Sequence, residues 1–201
     1  MDNKAEKKQR IMESALHLFS EKGFDQVSIE DISEMSDVPL STMTHYYKTK
    51  EAIFNNLVDL LQTTYFEKVG SASRMTEIPA TLSDFVEMSM RRIRFTTSNQ
   101  QIRKMRKLLI REQFRNEQIK RLATNHTYSS IIELNKYFIE KYIERGMLKN
   151  YDADLLTFEF TLPVAHIIQL IDREPEREAE LMEIVRKHMR HFVEIYGVAQ
   201  Q

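Results

Sequence analysis

Several residue types that direct folds or chemistry are missing or scarce in this sequence. Its 201 residues include no cysteine, no tryptophan, four glycines and four prolines. The absence of cysteine excludes disulfides, thiolate metal sites and a cysteine nucleophile, and it is compatible with a reducing cytoplasm. With so few glycines and prolines to interrupt them, long helices are expected, and no strand-like alternation or hairpin signal stands out.

Charge and hydropathy narrow the class further. The net charge of −1 gives no support for nucleic-acid binding by itself, while 42% hydrophobic and 29% charged residues are ordinary for a soluble protein with a core. The polar, charged N-terminus predicts no signal peptide. The longest apolar run, Leu155 to Ile171, is interrupted by Glu159, Pro163, His166 and Gln169. It therefore predicts a buried helix and no membrane span.

The most informative stretch runs from Val27 to Phe54. Ser28 is placed to cap a short helix, with Asp31 three residues on completing a capping box. Pro39 disfavours a helical residue before it and favours the first position of a second helix, which would end near His45. Two short helices across a tight turn form a helix-turn-helix, whose second helix enters the major groove of DNA.

The side chains of this second helix suit contact with DNA. The segment Leu40 to His45 has no acidic residue and offers three hydroxyls and an imidazole, all able to reach base edges or phosphates. Thr49 is predicted to cap a third helix, with Lys48 and Lys50 beside its start, where a phosphate would be favoured. The alternative is a small capped helical hairpin inside an ordinary helical protein.

A family resemblance is carried by residues between Arg10 and Phe54. The matching residues are Arg10-Ile11, Ala15, Leu18-Phe19, Gly23-Phe24, Val27-Ser28-Ile29, Asp31-Ile32, Val38, Thr42 and His45-Tyr46-Tyr47-Lys48-Thr49-Lys50-Glu51-Ala52-Ile53-Phe54. Over this stretch the sequence resembles the TetR-type transcriptional repressors. That family usually has glycine where Asp37 and Ser41 stand, and an aromatic residue where Thr44 stands. Asp37 would need a left-handed conformation, which Asp tolerates better than most residues.

The resemblance implies an all-α fold of about nine helices in two domains. Residues 1–50 would form a three-helix helix-turn-helix DNA-binding domain, and residues 51–201 a helical ligand-binding and dimerisation domain. Its partners would be a double-stranded DNA operator, a second copy of the chain and a small-molecule effector that shifts the fourth helix, all in the cytoplasm. The residues expected to contact DNA are Ser28, Pro39, Leu40, Ser41, Thr42, Thr44, His45, Tyr46 and Lys50.

Helical periodicity and terminus signals give the element boundaries. The first helix should run from Lys4 to Lys22 with Gly23 as its C-cap, and the fourth from Lys50 to about Val69. After a polar linker, residues 70–79, five more helices are predicted. The fifth ends near Asn99, the sixth contains Phe114 and breaks near Asn116, the seventh runs from Tyr128 to Gly146, the eighth is capped by Asp152 and kinked near Pro163, and the ninth opens at Pro175.

The effector is expected to be mainly apolar, because apolar side chains outnumber polar groups across the presumed pocket helices. The predicted lining is Phe85, Met88, Phe95, Met105, Leu109, Tyr137, Phe138 and His166. His166 is alternatively a satisfied core histidine. Eleven Lys and Arg residues between Arg91 and Arg121 could bind an anion, a membrane surface or nucleic acid, or could be a solvated helix face paired with neighbouring Glu residues.

Two other function classes have less support. Neither a Gly-rich phosphate loop nor a His-Glu-x-x-His or Gly-x-Ser-x-Gly motif occurs, so an enzyme is not predicted and no cofactor is implied. His188, His191 and Glu194 share a helix face, for which a surface or dimer contact is favoured over a metal site. A helical scaffold without sequence-specific DNA binding is the remaining alternative.

The apolar faces of Leu155–Ile171 and Leu181–Tyr196 predict a four-helix dimer bundle, with Ile167 and Val185 as contacts.

Overall fold

The computed structural model describes residues 3–69, 78–115 and 117–198. Ten α-helices make up these ranges, which confirms the all-α class. They are α1 (Lys4–Lys22), α2 (Ile29–Ser36), α3 (Leu40–Tyr46), α4 (Lys50–Val69), α5 (Leu82–Ser98), α6 (Gln100–Glu112), α7 (Glu117–Thr124), α8 (Ser130–Glu144), α9 (Ala153–Arg173) and α10 (Glu178–Tyr196). A π-helical turn, Asn125–Ser129, precedes α8, and a 3₁₀ turn, Pro175–Arg177, precedes α10.

Helix ends marked by capping residues are where the sequence predicts them. Asn3 and Glu6 form a capping box at the start of α1, and Gly23 ends it with φ 84°. The side chains of Thr49 and Asp152 accept hydrogen bonds from the amides of Ala52 and Leu155, at 3.2 and 2.9 Å. A helix start leaves its first amides without backbone partners, so these side-chain acceptors fix the first residue.

One helix was missed, and three predicted helix boundaries are wrong. The additional helix is α7, which follows the expected break near Asn116, a residue outside the described ranges. Because α6 ends at Glu112, Phe114 lies beyond it and is 90% exposed. Pro39 is the N-cap of α3 and not its first residue, since its ψ of 137° is extended. Pro175 opens the 3₁₀ turn, so α10 begins three residues later. The predicted linker falls mostly on residues 70–77, outside the described ranges.

The chain forms two compact units. Unit 1 contains Met1–Lys68 and Gln100–Ala123, and unit 2 contains Val69–Asn99 and Thr124–Gln201. Unit 1 therefore combines α1–α4 with α6 and α7, which come from a distant part of the sequence. The functional boundary expected at residue 50 concerns roles and not compact units, and it remains a prediction.

Unit 1 is built on α1, whose apolar stripe packs against α2 and α6. Ile11, Ala15 and Phe19 on that stripe are fully buried. The Phe19 ring lies 5.5 Å from Phe24 and 5.2 Å from Phe54, measured between centroids, so one aromatic cluster joins α1, the α1–α2 turn and α4. This cluster holds the base from which α2 and α3 project.

Unit 2 has its own core between α5, α8, α9 and α10. Phe85 is at its centre, with ring centroids 5.0 Å from Phe160, and 5.3 Å from both Phe138 and Tyr142. The Tyr142 hydroxyl donates a 3.1 Å hydrogen bond to the Pro79 carbonyl. Burial raises the pKa of Tyr142 to about 12, because the phenolate would lose its hydration.

One helix of the described residues, α9, is long and apolar enough to cross a membrane by length and composition. Leu156, Phe160 and Val164 on one of its faces are buried in the unit 2 core. The core helix of a soluble unit passes the same test. The helix continues through Pro163, and its opposite face exposes Leu155 and Leu162.

Candidate nucleic-acid interface

The start of α2 is fixed by the predicted capping box. The Asp31 amide donates to the Ser28 hydroxyl at 3.0 Å, while the Ser28 amide and hydroxyl both donate to the Asp31 carboxylate at 2.7 Å. These bonds hold the pKa of the Asp31 carboxyl below its ordinary value. The Ser28 hydroxyl proton is thus used within the protein, and only a lone pair of that oxygen is left for DNA.

The turn between α2 and α3 passes through Asp37 in the left-handed conformation, with φ 50° and ψ 42°, as predicted. The Ser33 hydroxyl donates to the Val38 carbonyl at 2.7 Å and closes the turn from inside. Arg10 of α1 donates to the Asp37 carbonyl at 3.3 Å. One backbone conformation and two hydrogen bonds therefore set the angle at which α3 leaves α2.

Helix α3 is anchored on one side and open on the other. Met43 is fully buried and fixes the inner face. Ser41 and His45 are exposed, and because they are four residues apart they occupy the same outward face, with half-buried Thr42 beside them. The Thr44 hydroxyl donates to the Leu40 carbonyl at 2.9 Å, so it is engaged within the helix. Leu40 and Pro39 are exposed at the helix start.

Tyr46 lies beside two lysines of α1. The Lys4 and Lys8 ammonium groups are 5.9 and 5.8 Å from the centroid of its ring, and the His45 ring is 5.7 Å away. Both lysines are exposed. This group places two positive charges, a phenol and an imidazole at one end of α3, a composition that suits the phosphate backbone.

Lys50 has a role inside unit 1 that the sequence did not indicate. Its ammonium donates to the carbonyl of Phe24 at 2.8 Å and to that of Asp25 at 3.5 Å. It also lies 4.4 Å from the centroid of the Phe24 ring, a cation–π contact. Lys48, two residues earlier, is exposed at the start of α4. Their positions in the sequence predict the same role for both lysines. In the structure Lys50 binds groups inside unit 1, whereas Lys48 is exposed.

The Lys and Arg residues between Arg91 and Arg121 form a basic stretch, and several of them bind groups on neighbouring elements. Lys107 pairs with Glu21 at 2.7 Å, and Arg111 donates to the Glu21 carbonyl at 2.7 Å. Arg115 forms a two-bond pair with Asp25. These hydrogen bonds lower the pKa of both the Glu21 and the Asp25 carboxyl groups. The lysine and arginines of α6 and its C-terminal end thus bind the end of α1, which supports the structural interpretation of that part of the stretch.

The predicted effector residues do not form one cluster. Met105 and Leu109 are buried in unit 1, while the other six belong to unit 2. Phe85 and Phe138 are packed in the unit 2 core, with Met88 and Tyr137 half-buried against it. Phe95 and His166 are exposed, so the interpretation of His166 as a core residue is wrong. His166 follows Leu155 and Leu162 at helical spacing on the outward face of α9.

The C-terminal histidines make separate contacts. His188 Nε2 lies 3.3 Å from the Phe160 carbonyl oxygen, and His191 Nδ1 lies 3.7 Å from a Glu194 carboxylate oxygen. Within the ranges that the structure describes, no group of three or more His, Cys, Asp or Glu side chains is placed to hold a metal ion.

The predicted DNA-contacting residues, unlike the predicted effector residues, all lie in unit 1: at the start of α2, on and beside α3, and at the start of α4. Beyond that set, the sequence places Lys48 beside a favoured phosphate position, and the family resemblance places Lys4 and Lys8 where the N-terminal arm approaches the phosphate backbone. The spacing of four between Lys4 and Lys8 was available as a signal, because it places both ammonium groups on one face of α1. Their proximity to Tyr46, which lies far along the sequence, was not.

Comparison with known proteins agrees with this geometry. Residues 11–57 match the family model of bacterial regulatory proteins of the tetR family. "Probable HTH-type transcriptional regulator YttP" of Bacillus subtilis (strain 168) is 22% identical over 193 residues, covering 96% of this chain and 89% of that protein. The biofilm operon icaADBC HTH-type negative transcriptional regulator IcaR of Staphylococcus epidermidis is 35% identical over 52 residues, 26% of this chain and 28% of IcaR.

The fold has solved counterparts. SmeT of Stenotrophomonas maltophilia in complex with triclosan superposes with a TM-score of 0.69 at 13% sequence identity, covering 96% of this chain and 92% of SmeT. The matched family consists of transcriptional regulators and not of enzymes, so the predicted regulator class is confirmed. These findings support a transcriptional regulator of the TetR family, with the DNA-binding helix-turn-helix within the matched N-terminal residues.

Proposed function

We propose that this regulator is a repressor, which binds an inverted-repeat operator as a homodimer and is released by a small-molecule effector. The single observation that carries the proposal is α3, with Met43 buried on one face and Ser41 and His45 exposed on the other. The likeness of 52 residues to IcaR, which is named as a negative regulator, supports repression over activation. As a regulator of transcription, the protein would act in the cytoplasm.

The proposal gives the side chains of α3 two roles. Ser41, Thr42 and His45 read base edges, since they are polar and lie on or beside the outward face. Tyr46, Lys4, Lys8 and Lys48 contact phosphates, which position the protein without reading sequence. Ser28, Pro39, Leu40 and Thr44 complete the contact surface through backbone groups and lone pairs.

Lys50 has a smaller share in phosphate contact than the sequence suggests. An ammonium has three donors, and the carbonyls of Phe24 and Asp25 face two of them. One donor remains for a phosphate. Lys50 would therefore contribute both to unit 1 stability and to DNA affinity, while exposed Lys48 would contribute to affinity alone.

The effector is proposed to be mainly apolar. Four of the predicted lining residues, Phe85, Met88, Tyr137 and Phe138, belong to the aromatic core of unit 2 or pack against it, and they would have to repack to admit a ligand. An effector changes DNA affinity only if it binds one of the two conformational states more tightly. The complex of SmeT with triclosan supports a small apolar molecule as the class of ligand.

The experiment begins with selection of the operator from a random pool of duplexes. A symmetric dimer predicts an inverted repeat whose half-site centres are about one helical turn, roughly 34–36 Å, or a multiple of it apart. Thr42→Ala and His45→Ala should each cost about 1–3 kcal/mol on the operator and relax base preference at one position per half-site. Lys48→Ala should weaken binding to all duplexes alike and reduce the salt slope by about one unit.

Lys50→Ala completes the series, and it should lower the melting temperature as well as the affinity. Titration against the operator and a scrambled duplex at several salt concentrations separates the roles. Base preference lost in Lys48→Ala but kept in His45→Ala would invert the assignment. A wild-type protein that bound operator and scrambled duplex equally would remove the repressor proposal and favour the scaffold alternative.

A further inference from the structure

A cavity of about 550 Å³ lies within unit 1, between α1, α4 and the start of α6. This volume is within the range of small-molecule sites in proteins, roughly 300–1,000 Å³. The residues that line it are Lys8, Gln9, Met12, Glu13, Leu16, Tyr47, Asn56, Leu57, Leu60, Leu61, Gln101, Ile102 and Met105.

The chemistry of the lining is mainly apolar. Met12, Leu57, Leu61 and Met105 are buried and form a floor of aliphatic and thioether groups. Methionine and leucine adapt their shape to a ligand at little cost. Leu60 stays 47% exposed on the wall, so a large aliphatic side chain faces the cavity without a protein partner over much of its surface.

The polar lining is sparse and has no net charge. Lys8 carries one positive charge and Glu13 one negative charge, and the Glu13 carboxylate already accepts a 2.9 Å hydrogen bond from Gln9. The Tyr47 hydroxyl donates to the Asn56 side-chain oxygen at 3.2 Å, which leaves the Asn56 amide group as a donor. A charged ligand would have to leave water for a site that offers no excess of opposite charge.

We propose that this cavity binds a neutral, mainly apolar small molecule, with the Asn56 amide donating to an acceptor on the ligand. The cavity shares Met105 with the effector lining expected from the sequence, but it contains no residue of the unit 2 core, where the effector is proposed to bind. It is also independent of whether the protein is a repressor. Tyr47 is the C-cap of α3, so a ligand in the cavity would contact the residue that ends this helix as well as residues of α4.

The test uses a matched pair of fluorescent probes. N-phenyl-1-naphthylamine is neutral, and 8-anilinonaphthalene-1-sulfonate is nearly the same skeleton with one negative charge. Both emit more strongly in apolar surroundings. We expect the neutral probe to saturate at one molecule per chain and to bind at least tenfold more tightly than the sulfonate. Tighter binding of the sulfonate would overturn the neutral-ligand inference.

Two single-tryptophan variants locate the probe, because the protein has no tryptophan of its own. Leu60→Trp places an indole on the cavity wall. Tyr151→Trp is the control, since Tyr151 is a 58% exposed aromatic residue in unit 2. Circular dichroism melting verifies that both variants are folded. We expect Leu60→Trp either to weaken probe binding about tenfold or, with affinity kept, to show quenching of the introduced tryptophan by the bound probe.

Tyr151→Trp should leave the affinity of the neutral probe unchanged. The proposal is overturned if Leu60→Trp changes neither affinity nor tryptophan emission, or if Tyr151→Trp is the variant that loses binding. None of these measurements involves DNA, so their failure is distinguishable from failure of the repressor proposal.

Discussion

Asp37 shows how one residue of the helix-turn-helix departs from the family pattern without changing the fold. It adopts φ 50° where the family usually has glycine, and its side chain is almost fully exposed. The amides of Asp37 and Val38 still donate to carbonyls at the end of α2, at 3.3 Å each. The backbone bonds of the turn thus form despite the Cβ, and the cost is conformational strain.

We expect this strain to be measurable by two substitutions at the same position. Asp37→Gly removes the Cβ that the left-handed conformation disfavours, whereas Asp37→Ala keeps it and loses the polar group. The glycine variant should be more stable than the alanine variant by about 1 kcal/mol in urea denaturation. Both variants lose the 3.7 Å ion pair with Arg10, so that contact cancels in the comparison. Equal stabilities would show that residue 37 is unstrained.

At the scale of single residues, the sequence predicts contacts between residues that are close to each other in the sequence. The capping of α2 by Ser28 follows from side-chain chemistry within three residues, and the conformation of Asp37 follows from the glycine that the resembled family usually has there. The partner of Lys50 did not follow, because a long flexible side chain can reach any carbonyl nearby and Phe24 is 26 residues away. Proximity of that kind exists only after the helices have packed.

Among the elements, α6 has the most instructive contacts. Its last residue, Glu112, is 2% exposed and accepts a 3.1 Å hydrogen bond from the Phe24 amide in the α1–α2 turn. A Cβ at Gly23 would lie 3.1 Å from Arg111 Nε and 3.3 Å from Glu112 Oε1, so a larger residue at position 23 would require these two side chains of α6 to shift. The helix thus fixes the turn that leads to α2 and α3.

Two glutamates test this contact. Glu112→Ala should lower the free energy of unfolding by about 1–3 kcal/mol, because it leaves the Phe24 amide without its acceptor in a part-buried site. Glu117→Ala in α7 is the control, as its bonds with Lys120 and Arg121 join exposed side chains and should contribute less than about 1 kcal/mol. Chemical denaturation of the two variants under the same conditions gives the comparison. A loss as small in Glu112→Ala as in Glu117→Ala would remove α6 as a support of the turn.

Element prediction succeeded where caps are strong and failed where they are absent. Helices α1 and α4 have the predicted limits because Asn3, Gly23 and Thr49 satisfy their terminal groups. The starts of α3 and α10, which have no side-chain cap, were placed at the wrong residue, and the short α7 was missed. The effector residues were grouped by helix order, and the structure assigns α6 to unit 1 and α5 to unit 2.

The division of the molecule into two units could not be predicted from the sequence, for a related reason. Unit 1 joins α1 to α6 through bonds such as Lys107 to Glu21, which connect residues 86 apart. Hydrophobic periodicity identifies the buried face of a helix but not the helix that covers it. Amphipathic α6 could have packed on several neighbours, so the predicted linear boundary at residue 50 described function and left packing open.

At the same scale, the surface of unit 2 favours a dimer. Helix α9 exposes Leu155 and Leu162, and α10 exposes Ile184 and Ile195, each pair at a helical spacing of seven or eleven residues. Exposed apolar stripes on adjacent helices mark interaction sites in soluble proteins. Val185, which the sequence suggested as a dimer contact, is 0% exposed and belongs to the unit 2 core. The dimer contact is therefore expected from Ile184 and not from its neighbour.

Charged substitutions at the adjacent residues Ile184 and Val185 test whether this stripe is the dimer contact. Ile184→Glu places a charge on the 44% exposed stripe, so it should weaken self-association at least tenfold and reduce operator affinity, while the melting temperature of the chain stays close to wild type. Val185→Glu places the same charge in the core, where an unpaired carboxylate is strongly disfavoured, so it should abolish cooperative unfolding of unit 2. Sedimentation velocity across micromolar concentrations, with circular dichroism melting, distinguishes the two effects. A wild-type chain that sedimented as a monomer, or an Ile184→Glu chain that dimerised normally, would show that the stripe has another partner.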